Sequence, residues 1–155
     1  MKKIGVIGLG NPLRQDDGIG LLLLNKLIEK KNQFPEHIEF IDGGTGGMKL
    51  LHLLARFDRV IVIDAINFNG EAGESKSFTI EEVIDHENTT NLSTHESDFS
   101  KILQLSKELK EIPQEVHIYG IQPKDTNFGE KLSIELKEKI DSYLNELTSN
   151  IFSIN

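Results

Sequence analysis

The chain has 155 residues, a formal net charge of −8 at pH 7, 37% hydrophobic and 27% charged residues, and no cysteine. This length predicts a single domain over residues 1–155, and the lack of cysteine excludes disulfides, thiolate metal sites and a cysteine nucleophile. The acidic charge argues against nucleic-acid binding, which needs a basic surface. No apolar run approaches the roughly 20 residues of a membrane span, so we expect a cytoplasmic protein without a membrane partner.

Strand and helix patterns alternate along the first half of the chain. The pattern predicts a strand over 3–9, a helix over 17–31, a strand over 37–41, a short helix over 46–56 and a strand over 59–65. The helix over 17–31 stops before Pro35, because proline cannot continue its hydrogen bonds. The run over 59–65 is rich in β-branched residues, which is typical of a central parallel strand buried on both faces.

The second half of the chain continues this alternation after a less regular stretch. The pattern predicts a strand at 77–80, a helical turn at 81–86, a polar loop at 87–94, a helix over 97–110, a strand over 115–121, a loop over 123–130 and an amphipathic helix over 132–147. We therefore predict an α/β fold, a three-layer α/β/α sandwich with a mostly parallel sheet of about five strands. Ligands in such folds bind at the carboxyl ends of the strands.

The loop after the first strand has the glycines of a nucleotide-binding turn but lacks its other features. Leu13 stands where the dinucleotide fingerprint needs its third glycine, and Pro12 removes a backbone N–H that could face a phosphate. Asp16 and Asp17 place two carboxylates near the helix start, where a phosphate needs N–H groups. Nucleotide binding is therefore not supported. We interpret Asp16 as a helix cap and expect Asp17 to project into the cleft.

Two further polar residues are predicted at the same edge of the sheet. Asp64 ends the buried run over 60–63, where an unpaired carboxylate would be costly, and His95 directly precedes the helix over 97–110. Together with Asp17 they would offer two carboxylates and one imidazole, an incomplete shell that leaves positions open for water or substrate. Such a set suits nickel, zinc or manganese and does not choose among them.

A glycine-rich loop follows the second strand. Gly43, Gly44, Gly46 and Gly47 surround Thr45, which is more glycine than a tight turn requires. Glycine lets another backbone approach closely, but a mobile connection between strand and helix would have the same composition. Both interpretations stay open.

Five patches of the sequence resemble hydrogenase maturation endopeptidases, in the same order and with matching separations over residues 3–147. They are Gly8-x-Gly10-Asn11-x-Leu13-x-x-Asp16-Asp17-Gly18-x-Gly20, Asp42-Gly43-Gly44-Thr45, Ile63-Asp64-Ala65, Thr94-His95 and Gly120-Ile121-Gln122-Pro123. Asp17 stands where some members of the family have glutamate, which preserves the ligand chemistry.

The resemblance implies an endopeptidase that removes the C-terminal extension of a nickel–iron hydrogenase large-subunit precursor after nickel insertion. It implies that Asp17, Asp64 and His95 contact the metal and carry catalysis. The nickel is expected to arrive with the precursor, so the isolated protein can be metal-free until it docks. The glycine-rich loop, through Gly43, Gly44, Thr45 and Gly46, is expected to bind the substrate tail.

Two other functions fit parts of the sequence. A metal-sensing maturation chaperone would use the same three ligands without cutting the precursor. The start Gly8-Leu9-Gly10-Asn11-Pro12 is also similar to peptidyl-tRNA hydrolases, but the Tyr and His that follow in those enzymes are absent and the chain is acidic.

Overall fold

A five-stranded sheet forms the centre of the computed structural model, which describes the backbone of residues 2–89 and 94–155 and their side chains outside 87–98. The strands are β1 Ile4–Gly8, β2 Ile38–Asp42, β3 Arg59–Ala65, β4 Ser75–Phe78 and β5 Glu115–Ile121. They lie in the order β2-β1-β3-β5-β4. All pairings among these strands are parallel except that of β4 with β5.

Helices cover both faces of the sheet. Helices α1 Ile19–Glu29, α5 Ile134–Lys137 and α6 Ile140–Ile154 pack on one face, and α2 Met48–Leu54, α3 Ile80–Thr89 and α4 Thr94–Glu108 on the other. The predicted three-layer α/β/α class with a mostly parallel sheet is therefore confirmed. In the ranges that the structure describes, no helix combines the length and apolar character needed to cross a bilayer.

Strand β3 occupies the middle of the sheet and separates two hydrophobic cores. Ile61 and Ile63 belong to the core beneath α1 and α6, and Val60 and Val62 belong to the core beneath α2 and α4. All four side chains are inaccessible to solvent. This alternation follows from strand geometry, since successive side chains point to opposite faces. The β-branched run is therefore apolar throughout because both of its faces are covered.

The first helix begins differently from its prediction over 17–31. A 3₁₀ turn spans Gln15–Gly18, and only then does α1 start at Ile19. The backbone N–H groups of Gln15 and Asp16 donate to the carbonyls of Gly129 and Asp125, at 2.8 and 3.0 Å. A distant loop therefore shapes this turn.

The closing helix also differs from its prediction over 132–147. It is broken into α5 and α6, and Lys139 between them has a φ of −103° and a ψ of 4°. Helix α6 then continues to Ile154, because Ile151 and Ile154 are still buried in the core beneath it.

Helices α3 and α4 extend into the predicted polar loop over 87–94. Helix α3 continues to Thr89 and α4 begins at Thr94, so the loop prediction is wrong at both ends. Residues 90–93 of that prediction lie outside the described part of the chain.

The chain has two tyrosines and no tryptophan, and both phenols are buried. The hydroxyl of Tyr143 donates to the carbonyl of Gly73 at 2.5 Å, and that of Tyr119 donates to the Glu146 carboxylate at 2.5 Å. Burial raises the pKa of Tyr143 to about 12. Burial, and then the bond to Glu146, raises the pKa of Tyr119 as well.

These raised pKa values predict that the tyrosines of the native protein do not ionise at pH 10, although the ordinary pKa of tyrosine is about 10. Because the folded pKa lies above the unfolded one, the associated stability is complete below about pH 10 and is lost as the pH rises towards 12. A titration should therefore show phenolate absorbance appearing together with the loss of circular dichroism. Phenolate absorbance at pH 10 in a fully folded protein would contradict this.

Candidate active site

The sheet order creates one point where the chain leaves neighbouring strands in opposite directions. From β1 the chain leaves through α1 on one face to β2, and from β3 it leaves towards β4 and β5, with α3 and α4 on the other face. Strands β1 and β3 are neighbours and parallel, so their carboxyl ends lie side by side. Binding sites of open α/β sheets lie at such a switch point. Asp17 follows β1 and Asp64 lies near the end of β3.

Asp17 lies in the 3₁₀ turn at this switch point and is half-buried. Its Oδ2 accepts the backbone N–H of Asn11 at 3.0 Å, which orients the carboxylate. Close packing at Gly20 holds the following helix against β3, since a Cβ there would lie 2.3 Å from the Leu9 carbonyl oxygen and 2.4 Å from that of Ile63. Asp17 is therefore carried on a turn whose distance from β3 is fixed.

Asp64 is the penultimate residue of β3 and is inaccessible to solvent. It follows Val62 by two residues, so strand alternation directs its side chain to the face covered by α2, α3 and α4. Its partner in β5 is Gly120, where a Cβ would lie 2.8 Å from the Phe78 ring and 3.1 Å from the Ile66 side chain, so these two side chains fill the space beside Asp64's partner. A buried carboxylate at a strand end costs free energy unless it is paired. Buried ionisable groups of this kind are often found at functional sites.

His95 is the second residue of α4, so the prediction that it lies in a loop before the helix is wrong. Helix α4 covers the face to which Asp64 points. The side chain of His95 lies outside the described residues. Among the side chains that are described, no three metal-binding residues are grouped to hold an ion. The shared site of Asp17, Asp64 and His95 therefore stays a prediction.

Asp16 has a different role from the predicted helix cap. Its carboxylate is inaccessible to solvent and accepts the N–H groups of Lys124 at 2.9 Å, Asp125 at 3.2 Å and Ser133 at 2.8 Å. The hydroxyl of Ser133 adds a fourth hydrogen bond at 2.9 Å. Neither the 3₁₀ turn nor α1 has a side-chain cap. The capping interpretation is therefore wrong, since Asp16 binds the loop that follows β5.

The glycine-rich loop lies beside the loop that carries Asp17. The N–H of Gly10 donates to the Gly44 carbonyl at 2.9 Å, and the N–H of Gly43 donates to that of Gly8 at 2.8 Å. Gly44 and Gly46 have φ values of 61° and 85°, which favour glycine.

The other two glycines of this loop differ from each other. A Cβ on Gly43 would lie 2.5 Å from the side chain of Leu9, so the chain's own core requires glycine there. Gly47 has a φ of −74°, and a Cβ there would meet nothing within 4 Å. The described contacts of the chain give no reason for glycine at position 47, which fits the interpretation that another backbone approaches this loop.

Gln122 joins the loop after β3 to the end of β5, a role that the sequence did not indicate. Its side-chain oxygen accepts the N–H groups of Phe68 at 2.9 Å and Gly70 at 3.1 Å, and its amide donates to Asn67 at 3.1 Å. These bonds give the loop after β3 a fixed path.

Comparison with known proteins identifies relatives over most of the chain. A family model described as hydrogenase maturation protease matches residues 23–150. The chain is 30% identical over 139 residues to the hydrogenase expression/formation protein HupD of Bradyrhizobium diazoefficiens, covering 89% of this chain and 72% of that protein. It is 31% identical over 121 residues to the hydrogenase 2 maturation protease of Escherichia coli K12, covering 78% and 73%.

A solved structure supports the same relationship. The hydrogenase maturating endopeptidase HybD from E. coli matches with a TM-score of 0.85 and 27% identity, covering 99% of this chain and 94% of that one. The chain spans 62% and 60% of the length of two further relatives that carry the HupD name.

The contacts of Asp16 predict that Asp16→Ala is strongly destabilising. Four part-buried hydrogen bonds would lose their acceptor, so we expect the free energy of unfolding to fall by about 3 kcal/mol or more. Asp42→Ala is the control, because this exposed carboxylate accepts one N–H, that of Gly44 at 2.8 Å. It should cost about 1 kcal/mol or less. Equal losses in denaturant unfolding would show that Asp16 does not hold the loop.

Proposed function

The chain belongs to the hydrogenase maturation protease family, and from this premise we propose the reaction it performs. It is an endopeptidase that removes the C-terminal extension of a nickel–iron hydrogenase large-subunit precursor after nickel has been inserted. The observation that carries the proposal is the position of Asp17 and Asp64. Asp17 lies in the turn after β1, and Asp64 is the penultimate residue of β3, the parallel neighbour of β1. Both therefore lie at the switch point where this fold class binds ligands.

In this proposal nickel arrives with the precursor and is recognised by Asp17, Asp64 and His95. Two carboxylate oxygens and one imidazole nitrogen suit a borderline divalent ion, and three protein ligands leave positions for the groups of the precursor. A precursor without nickel would offer these residues nothing to bind. Cleavage would therefore wait for metal insertion, and the isolated protein needs no metal of its own.

The two carboxylates have different environments, which suggests a division of roles. Asp64 is fully buried, so its charge acts in a medium of low dielectric where its attraction to a cation is strong. Asp17 is half-buried and is oriented by the N–H of Asn11, so it can also hold and deprotonate an attacking water. The nickel of the precursor would supply Lewis acidity at the scissile carbonyl. Water then adds a hydroxyl group to the carbonyl carbon and a proton to the departing amine.

The glycine-rich loop is proposed to align the extension of the precursor through backbone contacts. The segment that would contact the extension consists of Gly43, Gly44, Thr45 and Gly46. It is hydrogen-bonded to the loop carrying Asp17. Open space beside Gly47 supports this role, because an extended tail could lie there without meeting a side chain. We further propose that the reaction takes place in the cytoplasm, as expected from the sequence.

The proposed ligands predict that His95→Ala, Asp17→Asn and Asp64→Asn each lower cleavage of nickel-loaded precursor about a hundredfold or more. His52→Ala on the outer side of α2 is the control and should cleave normally. Mass spectrometry of the large subunit after incubation gives the readout. The same precursor prepared without nickel should stay intact.

The same assay separates the proposed reaction from its alternatives. An intact precursor in stable complex with the wild-type protein would indicate a chaperone rather than a protease. Undiminished cleavage by His95→Ala would remove the metal-recognition role of the histidine. A gel shift with tRNA tests the peptidyl-tRNA hydrolase alternative, and we expect no shift because the chain is acidic.

The open surroundings of Gly47 predict that Gly47→Ala folds normally but binds the precursor less well. The new methyl group would meet no atom of the chain within 4 Å, so the unfolding midpoint should not change. It would occupy the space proposed for the tail, and we expect the KM for the precursor to rise about tenfold. Lys49→Ala, an exposed change in the next helix, is the control. An unchanged KM for Gly47→Ala would argue for a loop without substrate contact.

A further inference from the structure

Large apolar side chains are exposed at both ends of the sheet, and those near the carboxyl ends of the strands are the more exposed. Among the described side chains, the four most exposed ones are Phe128 at 81%, Ile134 at 67%, Leu13 at 56% and Met48 at 55%. All four lie in loops or helix starts that directly follow β1, β2 or β5. The others are Leu109, Phe152 and Ile28, at 51, 48 and 38%, and they lie where α4, α6 and α1 end. Single exposed apolar residues are ordinary, whereas a group of them on one surface marks a binding site.

Leu13 and Phe128 belong to two loops that are joined by backbone hydrogen bonds. The N–H of Gly129 donates to the Leu13 carbonyl and the N–H of Gln15 donates to the Gly129 carbonyl, both at 2.8 Å. Arg14 lies between them, with its guanidinium carbon 5.3 Å from the centre of the Phe128 ring and its Nε 3.1 Å from the Thr126 carbonyl oxygen. We call Leu13, Arg14 and Phe128 the docking platform.

The platform is held in place although its side chains face solvent. The buried carboxylate of Asp16, two residues after Arg14, anchors the loop of Phe128 through four hydrogen bonds. A loop whose backbone is held in this way loses little conformational entropy when a partner covers its side chains. Exposed aromatic and arginine side chains on a rigid support are typical of the residues that dominate binding energy in interfaces.

We propose that the docking platform binds an apolar segment of the precursor that flanks the scissile bond. This inference rests on the proposed function, which brings a polypeptide to Asp17 and Asp64. Arg14 is three residues from Asp17 on the same loop, so a segment covering Phe128 and Leu13 is placed next to the candidate site. Burying the ring and the leucine side chain would stabilise the complex through the hydrophobic effect. The platform thus recognises the protein around the cleavage point, while Asp17, Asp64 and His95 recognise the metal.

The test uses Phe128→Ser and Leu13→Ser in the full chain with nickel-loaded precursor. Each variant should raise the KM about tenfold or more, with the loss falling on KM rather than on kcat. Leu109→Ser is the matched control, because Leu109 is nearly as exposed as Leu13 but lies at the opposite end of the sheet. Direct binding of the uncut precursor to the same variants in a His95→Ala background should weaken by a similar factor.

The outcomes separate the platform from the protease. If the wild-type protein binds the precursor without cleaving it, and Phe128→Ser weakens that binding, the proposed reaction is wrong and the docking platform is supported. Cleavage with wild-type KM in both platform variants would keep the protease and overturn the platform. A wild-type dimer that becomes monomeric in these variants, with an unchanged KM, would assign the surface to a second copy of this chain and also overturn the proposal.

Discussion

The loops at the carboxyl ends of the strands form one surface, which we call the rim, and the rim depends on one buried carboxylate. Asp16 is inaccessible to solvent and accepts four hydrogen bonds from the segment that follows β5. A buried charge is tolerated only when its hydrogen-bonding capacity is filled, and removing it would leave the donors unsatisfied. The interaction joins the turn after β1 to the loop after β5, although β3 separates these two strands in the sheet. Loops from non-adjacent strands thereby form one surface.

Two neighbouring aspartates in this turn have opposite surroundings. The carboxylate of Asp16 faces the loop after β5, whereas Asp17 is half-buried and its carboxylate is oriented by the N–H of Asn11. The 3₁₀ geometry of the turn separates the directions of the two side chains. The same turn therefore holds the rim together and presents a polar group at the switch point between β1 and β3. Asp16 therefore has the structural role and Asp17 the proposed functional role, so that no single side chain has to fulfil both.

The sequence predicted the elements whose cause is local burial and missed those that depend on distant contacts. The bounds of β3 agree with the predicted strand over 59–65, because a covered β-branched run is visible in the sequence itself, and those of β5 agree with the predicted strand over 115–121. The start of α1 and the role of Asp16 depend on the loop after β5, which leaves no periodic signal near residue 16. Asp64 was located because a carboxylate interrupts an apolar run. The side chain of His95 lies outside the described residues, so its predicted contact with the two carboxylates is untested.

The separation of Asp16 from Ser133 has a consequence for biosynthesis. The two residues are 117 positions apart, and the intervening chain supplies all the remaining strands of the sheet. Closing so long a loop is entropically costly and comes late in folding, since the distant contact repays that entropy only after the sheet exists. A chain still emerging from the ribosome can therefore pair β1 with β2 and β3 while its rim is unformed. Nascent or truncated chains that stop before Ser133 would therefore lack the assembled surface.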